Sequence, residues 1–427
     1  MIRGILIGIL AIPAAGCDRS PSSPPPSPPP SPSPAPAPAR TISIDPPAAP
    51  GATAPNLTAA ADRVLATWLE PTDAARKAHR LRLAQLTAAG WGSAVTIAEG
   101  AAILANWADV PSIARQDDGV LVAHWAETAA GAGHAYGVVL ARSTDGGATW
   151  RRLGAPHHDN TPTEHGFVSL VPDGDAVLAL WLDGRATADT PAGATALRAA
   201  RVGAAIGAEE LVDARVCDCC STSAARTADG PAVIYRDRGA DELRDPSIAR
   251  RLGGAWSAPR AVHVDGWQIA GCPVNGPALA ASGREVVAAW YTLAGQAPRV
   301  RVAFSADAGA TFDPPIDVDA QLAASPGARA PIGRIDVALD RPGEALVTWI
   351  ASAREDGRLL IRRVARDRRR GPELELAAVA ASREGGFPRL ELLGPDLVVA
   401  WVDTRAKQLR AARLPRADVP AVAVAAP

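Results

Sequence analysis

The chain has 427 residues, and its 44 Lys and Arg against 45 Asp and Glu leave a formal net charge of -1. Near neutrality without a basic stripe excludes the electrostatic footprint of a nucleic-acid binder. The length suits one large domain, and 38 Gly with 39 Pro, set among few stretches of helical period, argue against a helical one.

Residues 1–16 read as a short export signal, with Arg3, an apolar run over 4–12, and small residues Ala14, Ala15 and Gly16 before Cys17. The run is too brief to stay in a bilayer as a spanning helix. Ala-Ala-Gly-Cys resembles a bacterial lipobox, with Ala14 where Leu is commoner, and implies that Cys17 is lipidated and becomes the mature N-terminus. The plain alternative is an ordinary signal peptide beside a stray cysteine. Residues 20–39 are almost only Pro, Ser and Ala. Such a segment cannot bury a core and favours an extended rod of about 3.1 Å per residue, a spacer suited to holding a domain clear of a membrane. The expected layout is a signal at 1–16, lipidated Cys17 and linker over 17–53, a folded domain over 54–414 and a tail at 415–427. The expected place is the cell envelope, on the periplasmic side of a membrane or at the surface.

Residues 74–86 are Ala-rich and mildly helical, but they sit between strand-like segments, so all-β is the better assignment. Seven apolar strands carry an aromatic marker near their end: Trp68, Trp125, Trp181, Tyr235, Trp290, Trp349 and Trp401. They recur every roughly 55 residues, a period that means a propeller or solenoid. Each unit opens on a strand after Pro or Gly. A polar turn such as 117–119 follows, then the marker strand, then a strand with alternating Arg such as 198–201, then a short edge strand such as 209–212. Four antiparallel strands per unit make a β-propeller blade. Seven markers favour seven blades, six being the alternative. Ring closure needs both chain ends in one blade. Residues 41–45 can supply the outer strand of the last blade, which otherwise has only the weak 419–425.

Two units share the pattern S-x-D-x-G-x-T-[WF], at Ser143, Asp145, Gly147 and Trp150, and at Ser305, Asp307, Gly309 and Phe312. The spacing is that of a tight hairpin, in which the Asp accepts nearby backbone N–H groups and the Gly takes a positive φ. It resembles the Asp box, or BNR repeat, of the sialidase superfamily, where this hairpin lies on the face away from the active site. C-D-C-C at 217–220, G-C-P-V-N-G-P at 271–277 and P-T-E-H-G-F at 162–167 resemble those of exported bacterial propellers labelled exo-α-sialidase. That resemblance covers residues 56–414. The family implies three arginines on a carboxylate, a Tyr nucleophile paired with a Glu, and an Asp acid/base. Its first arginine opens an inner strand in F/Y-R-I-P, and the matching stretch here is Ala108-Asp109-Val110-Pro111. An acid at Asp109 repels a carboxylate substrate. Tyr136, Tyr235 and Tyr291 are the only tyrosines, none of them late in the chain where the family places its nucleophile. Sialidase catalysis is therefore not expected, and seven blades instead of six are a further departure.

Inner-strand starts and second-strand ends share one face of a propeller. Lined up by repeat, they place Asp109, Glu164, His165, Asn275, Arg334, Asp336 and Arg389 there, with Asp183, Arg185, Arg236 and Asp237. This polar mouth is the expected site for a glycan, another small ligand or a metal. Asp109, Glu127 and Glu164 are the candidates if it hydrolyses glycosides; an envelope interaction platform is the third alternative. The recurring D-x-R at 183/185 and 403/405 reads equally well as blade-to-blade pairing. His157, His158 and His165 stand with two carboxylates in one loop and suit Zn²⁺, although the spacing matches no zinc motif and a solvated loop is the simpler reading. Setting Cys17 aside leaves Cys217, Cys219, Cys220 and Cys272, an even number that in an exported chain points to disulfides, one of them from Cys219 or Cys220 to Cys272. The alternative is a thiolate site for copper or zinc, completed by His165. The chain reads as a monomer whose membrane contact is the lipid.

Overall fold

A computed structural model describes residues 41–422 apart from 61, 74, 129–134, 189, 191–192, 240, 320–328 and 354–355. The signal, Cys17 and the Pro-rich linker lie outside the described residues. Seven antiparallel sheets follow one another along the chain, one per blade. Their inner strands are Thr53–Ala60, Ser112–Arg115, His165–Asp173, Ser223–Thr227, Ala278–Ser282, Ala330–Arg341 and Arg389–Leu393. The described elements are strands and single 3₁₀ turns. Residues 74–86, with their hint of helix, contribute the strand His79–Thr87. There Leu81, Leu83 and Leu86 are buried while Arg80, Arg82 and Gln85 are not, and burying that row outweighs alanine's helical preference.

The marker strands are covered on both faces by neighbouring blades. Ala176–Asp183 is buried at every position, which is why these strands read as continuous apolar runs instead of alternating ones. Packing an indole there requires a partner for its N–H. Residues i and i+2 share a side of a strand, so an acid two places on can serve. Trp68 donates to Glu70 at 2.7 Å, Trp125 to Glu127 at 2.7 Å and Trp181 to Asp183 at 2.8 Å. In blade five Asp265 does this for Trp290, at 2.6 Å, and in blade four Asp213 accepts from Tyr235, at 2.7 Å. Across the ladder, Arg82, Arg198 and Arg301 stand opposite Trp68, Trp181 and Trp290. Their guanidiniums reach the same carboxylates, Arg82 at 3.6 Å from Glu70 and Arg198 at 3.8 Å from Asp183. The alternating arginines are thus a blade-building device, and Arg's rigid fork suits it better than Lys. The D-x-R pattern is local too. Arg185 grips Asp183 through Nε and Nη2, both at 2.7 Å, inside its own blade instead of pairing blade to blade.

The ring closes through the N-terminal end. Ile42–Ser43 pairs with the third strand of the last blade, Ile42 opposite Arg413 and Ser43 opposite Ala412. Val419 tucks into the core at 1 % exposure, and residues 419–422, the described part of its segment, form no strand. The two S-x-D-x-G-x-T hairpins are near copies of each other. Asp145 and Asp307 each accept the amide N–H of the Thr four residues on at 2.9 Å, and Ser143 and Ser305 each accept the Gly N–H at 2.9 Å.

At the mouth-side start of three inner strands the ladder is bulged, between Thr53 and Asn56, Gly166 and Ser169, and Gly333 and Asp336. Each bulge holds a non-glycine residue at positive φ: Ala54 at 53°, Phe167 at 53° and Arg334 at 54°. Strain repeated at equivalent places belongs to the blade architecture.

Candidate functional site at the mouth

Asp109 and Glu164, which the repeat alignment puts on one face, lie close enough to interact, beside a partner that it missed, Tyr136. Residues 136 and 164 form an isolated bridge, which sets the third strand of blade two beside the start of blade three. Asp109 is 4 % exposed and lies against the Phe167 amide, the Tyr136 hydroxyl and Glu164. Burial, only partly offset by those two donors, pushes its carboxyl up to about 6. Burial and the two acids push the Tyr136 hydroxyl well above its ordinary value. A Cβ on Gly166 would stand 2.1 Å from Asp109 Oδ2 and 2.6 Å from the Tyr136 ring, so only glycine fits over the pair. Tyr136, Glu164, Phe167 and Asp218 line a cleft of about 420 Å³, and Asp109 sits behind it.

A larger cleft, of about 640 Å³, opens over blades seven, one and two. Its floor is Trp107, two residues before Asp109, stacked on Phe387 with centroids 5.9 Å apart. Two guanidiniums lie over the indole, Arg334 at 5.4 Å and Arg383 at 5.8 Å. Arg334 is held by the carbonyls of Ser382 and Ala381, and burial together with Arg383 lowers it to about 10. Arg383 is exposed and in no ion pair among the described residues. Arg76 and Lys407 add cations to the rim, beside His79, whose imidazole burial holds below its ordinary value, with Glu384 the one acid lining it. Sequence reasoning missed this platform because Trp107 lies in a loop, outside the marker-strand pattern that picked out the other tryptophans.

Other candidates are spent on structure. Glu127 is held by Trp125 and by both Arg152 nitrogens, at 2.6 and 2.9 Å, away from Asp109. Asp336 accepts the Val337 and Leu390 amides at 2.9 Å. It lines an axial cavity of about 400 Å³ with Arg389 and Glu391, whose carboxyl burial raises to about 7. Asn275 ties blade five to blade six by accepting the Arg334 amide at 2.9 Å. Asp237 accepts the Arg238 amide at 2.7 Å. Arg236, 1 % exposed, donates to the carbonyls of Asn275, Arg244 and Tyr291 and lies 4.7 Å over Trp267. Arg236, Arg334 and Arg389 therefore serve three separate surroundings and form no common grip.

The histidine loop packs as a network. His157 and His165 stack at 4.0 Å, with His165 Nε2 at 3.1 Å from Asp159 and 3.7 Å from Asp183. Burial and the neighbouring imidazole bring His157 down to about 4. His157 Nε2 accepts the Val138 amide, Arg185 already binds Asp159 and Asp183, and His158 points outward with its side chain 71 % exposed. His157, Asp159 and His165 offer ligand atoms within 4.8 Å of one another, part of whose capacity the Val138 amide and Arg185 already take up.

The cysteines resolve as Cys219 bonded to Cys272, with Cys217 and Cys220 buried and free. The three sulfurs of 217, 219 and 220 lie within 4.8 Å of one another; His165 groups instead with His157 and Asp159.

This assembly is a seven-bladed β-propeller with a polar mouth. No family model and no curated protein matches the chain. Among solved structures it is similar to an ulvan lyase of polysaccharide lyase family 25 bound to a unit of glucuronic acid linked to rhamnose 3-sulfate. That match has TM-score 0.53 and 10 % identity, over 88 % of this chain and 96 % of that one. An α-L-arabinanase from Penicillium chrysogenum aligns with TM-score 0.48 and 13 % identity, over 89 % and 98 %. A Hadza microbial sialidase aligns with TM-score 0.46 and 14 % identity, over 80 % and 74 %. At these identities the likeness is one of fold.

Proposed function

We propose that the protein captures an acidic glycan at its mouth, in the cleft built on Trp107, without sialidase catalysis, as an exported and lipid-anchored protein of the cell envelope. The observation that carries the reading is the indole floor beside unpaired Arg383 in a cleft whose rim is mostly basic. Guanidinium binds a carboxylate or sulfate in paired hydrogen bonds, and the exposed part of the indole beside it adds apolar contact for a sugar ring. Arg236, Arg334 and Arg389 stand apart, which argues against a sialidase carboxylate grip.

Glycan cleavage by Asp109 with Tyr136 is the second reading, favoured by a carboxyl that keeps its proton up to about pH 6. Its burial behind Gly166 and Tyr136 ranks it below binding. The test is calorimetric titration with a polyuronate and with a neutral glucan. Binding to the polyuronate alone is expected, weakened by salt and lost in Trp107→Ala and Arg383→Ala, with a fluorogenic sialoside left intact. Equal affinity for the neutral glucan, or sialic acid release, defeats the reading.

A further inference from the structure

Cys217 and Cys220 are each 1 % exposed, and their sulfurs are 2.6 Å apart. Two buried guanidiniums face them. Arg244, 2 % exposed, reaches Cys217, Asp218 at 3.2 Å and Glu242 at 2.7 Å. Arg236 donates to backbone carbonyls, which carry no charge to offset its own. Two other carboxylates act on Arg236 from a distance, and both are occupied. Asp245 accepts the Gly266 and Trp267 amides, and Asp265 serves His263, Trp290 and Arg301. A buried cation is costly unless an anion lies close; Arg244 has Asp218 and Glu242, but for Arg236 the nearest anions on offer are the sulfurs.

We propose that Cys217 and Cys220 form a buried bis-thiolate site for a soft monovalent metal ion of the Cu(I) class. Thiolate sulfur selects Cu(I) or Zn²⁺ over hard cations, and charge and coordination number separate those two. Arg244 is met by Asp218 and Glu242, so with both thiols protonated it is the charge of Arg236 that stays unmatched. Exchanging two S–H protons for one monovalent ion lowers that charge by one, whereas a divalent ion leaves it unchanged. Zn²⁺ also seeks four ligands. The third sulfur near enough, Cys219 at 3.9 Å from Cys217, is committed to its bond with Cys272, and His165 is engaged elsewhere. Two-coordinate binding suits Cu(I). The sulfurs must part on binding, since two atoms each about 2.3 Å from one ion at a wide angle stand further apart than they do here. Asp218, between the two cysteines in the chain, lines the 420 Å³ cleft, which gives an approach from the mouth.

The test uses the whole chain, its disulfide intact, titrated anaerobically with Cu(I) against a competing chelator and, separately, with Zn²⁺. One Cu(I) per chain is expected to resist the chelator, with ultraviolet thiolate-to-copper absorption and no retention of Zn²⁺. Cys217→Ser and Cys220→Ser should each lose the copper, and His165→Ala should keep it. Failure to hold Cu(I), or copper held equally by both serine variants, overturns the proposal. So does a count of no free thiols among residues 217–272 in denatured parent protein, which would mean a second disulfide; that count needs no variant to fold.

Discussion

Asp109 shows how one buried side chain can make stability depend on pH. Its folded value, about 6, lies above the ordinary carboxylate value because burial disfavours the charge more than Phe167 and Tyr136 favour it. The unfolded chain releases this proton from about pH 4, while the folded chain keeps it to about 6. Between those limits the folded state binds more protons, so stability falls as pH rises and levels off above 6. Two pKa units correspond to at most about 3 kcal/mol. Asp109→Asn keeps the shape and removes the titration. The variant should match the parent near pH 4 and exceed it at pH 8 by up to that amount in urea unfolding. An unchanged pH slope, or a weaker variant at pH 8, would mean that the carboxylate is stabilised in a way the burial does not reveal.

Blades were legible in the sequence because their repeating unit is written into burial and hydrogen bonding. Trp68, Trp125 and Trp181 each carry an acid two places on, and the acid has to be there because the indole N–H is buried. Trp349 breaks the rule, with Ala351 in the acid's place and its Nε1 unpartnered. Trp349→Phe deletes a buried donor that has no bond to lose, whereas Trp68→Phe removes a bond and leaves part of Glu70's buried carboxylate unmet. Trp68→Phe should cost more, by about 1–2 kcal/mol, in the denaturant midpoint; equal costs would refute the indole–acid account. The site was less legible. The face shared by Asp109 and Glu164, and a bond to Cys272 from Cys219 or Cys220, follow from counting residues along strands; the choice of Cys219 does not. Tyr136 and Trp107 do not, since one reaches Asp109 through a bridge between non-neighbouring strands and the other lies in a loop. Glu127 and Asp183 lie at strand ends as read but serve Trp125 and Trp181, because in sequence an acid at a strand end looks the same whether it meets a ligand or an indole.

The whole molecule depends on what lies at its N-terminal end. If Cys17 is the lipidated residue, Cys17→Ser should move the protein from membrane to soluble fraction, each acyl CH₂ being worth about 0.8 kcal/mol; unchanged fractionation would sink the anchor. The segment beyond the linker has a separate task. Ile42–Ser43 covers the outer edge of Gln408–Pro415. Ile44 donates to the Ala411 carbonyl at 2.9 Å, Asp45 holds Arg410 at 2.6 Å and the Ala411 amide at 3.1 Å, and Trp91 donates to the Ile44 carbonyl at 2.6 Å. Blades seven and one also share an apolar interface, Trp68, Leu393, Val398 and Ala400 among its residues. Deletion of residues 1–45 should therefore weaken the ring without unfolding it, by about 3 kcal/mol for several hydrogen bonds at about 1 kcal/mol each. It also leaves the edge of Gln408–Pro415 bare, and a bare edge recruits other strands. The shortened protein should melt earlier and form concentration-dependent oligomers in sizing chromatography, while deletion of residues 1–40 alone leaves both properties unchanged. If the deletion to residue 45 stays monomeric with the parent's melting temperature, the seven blades hold their circle by side-chain packing alone and the N-terminal strand does not close it.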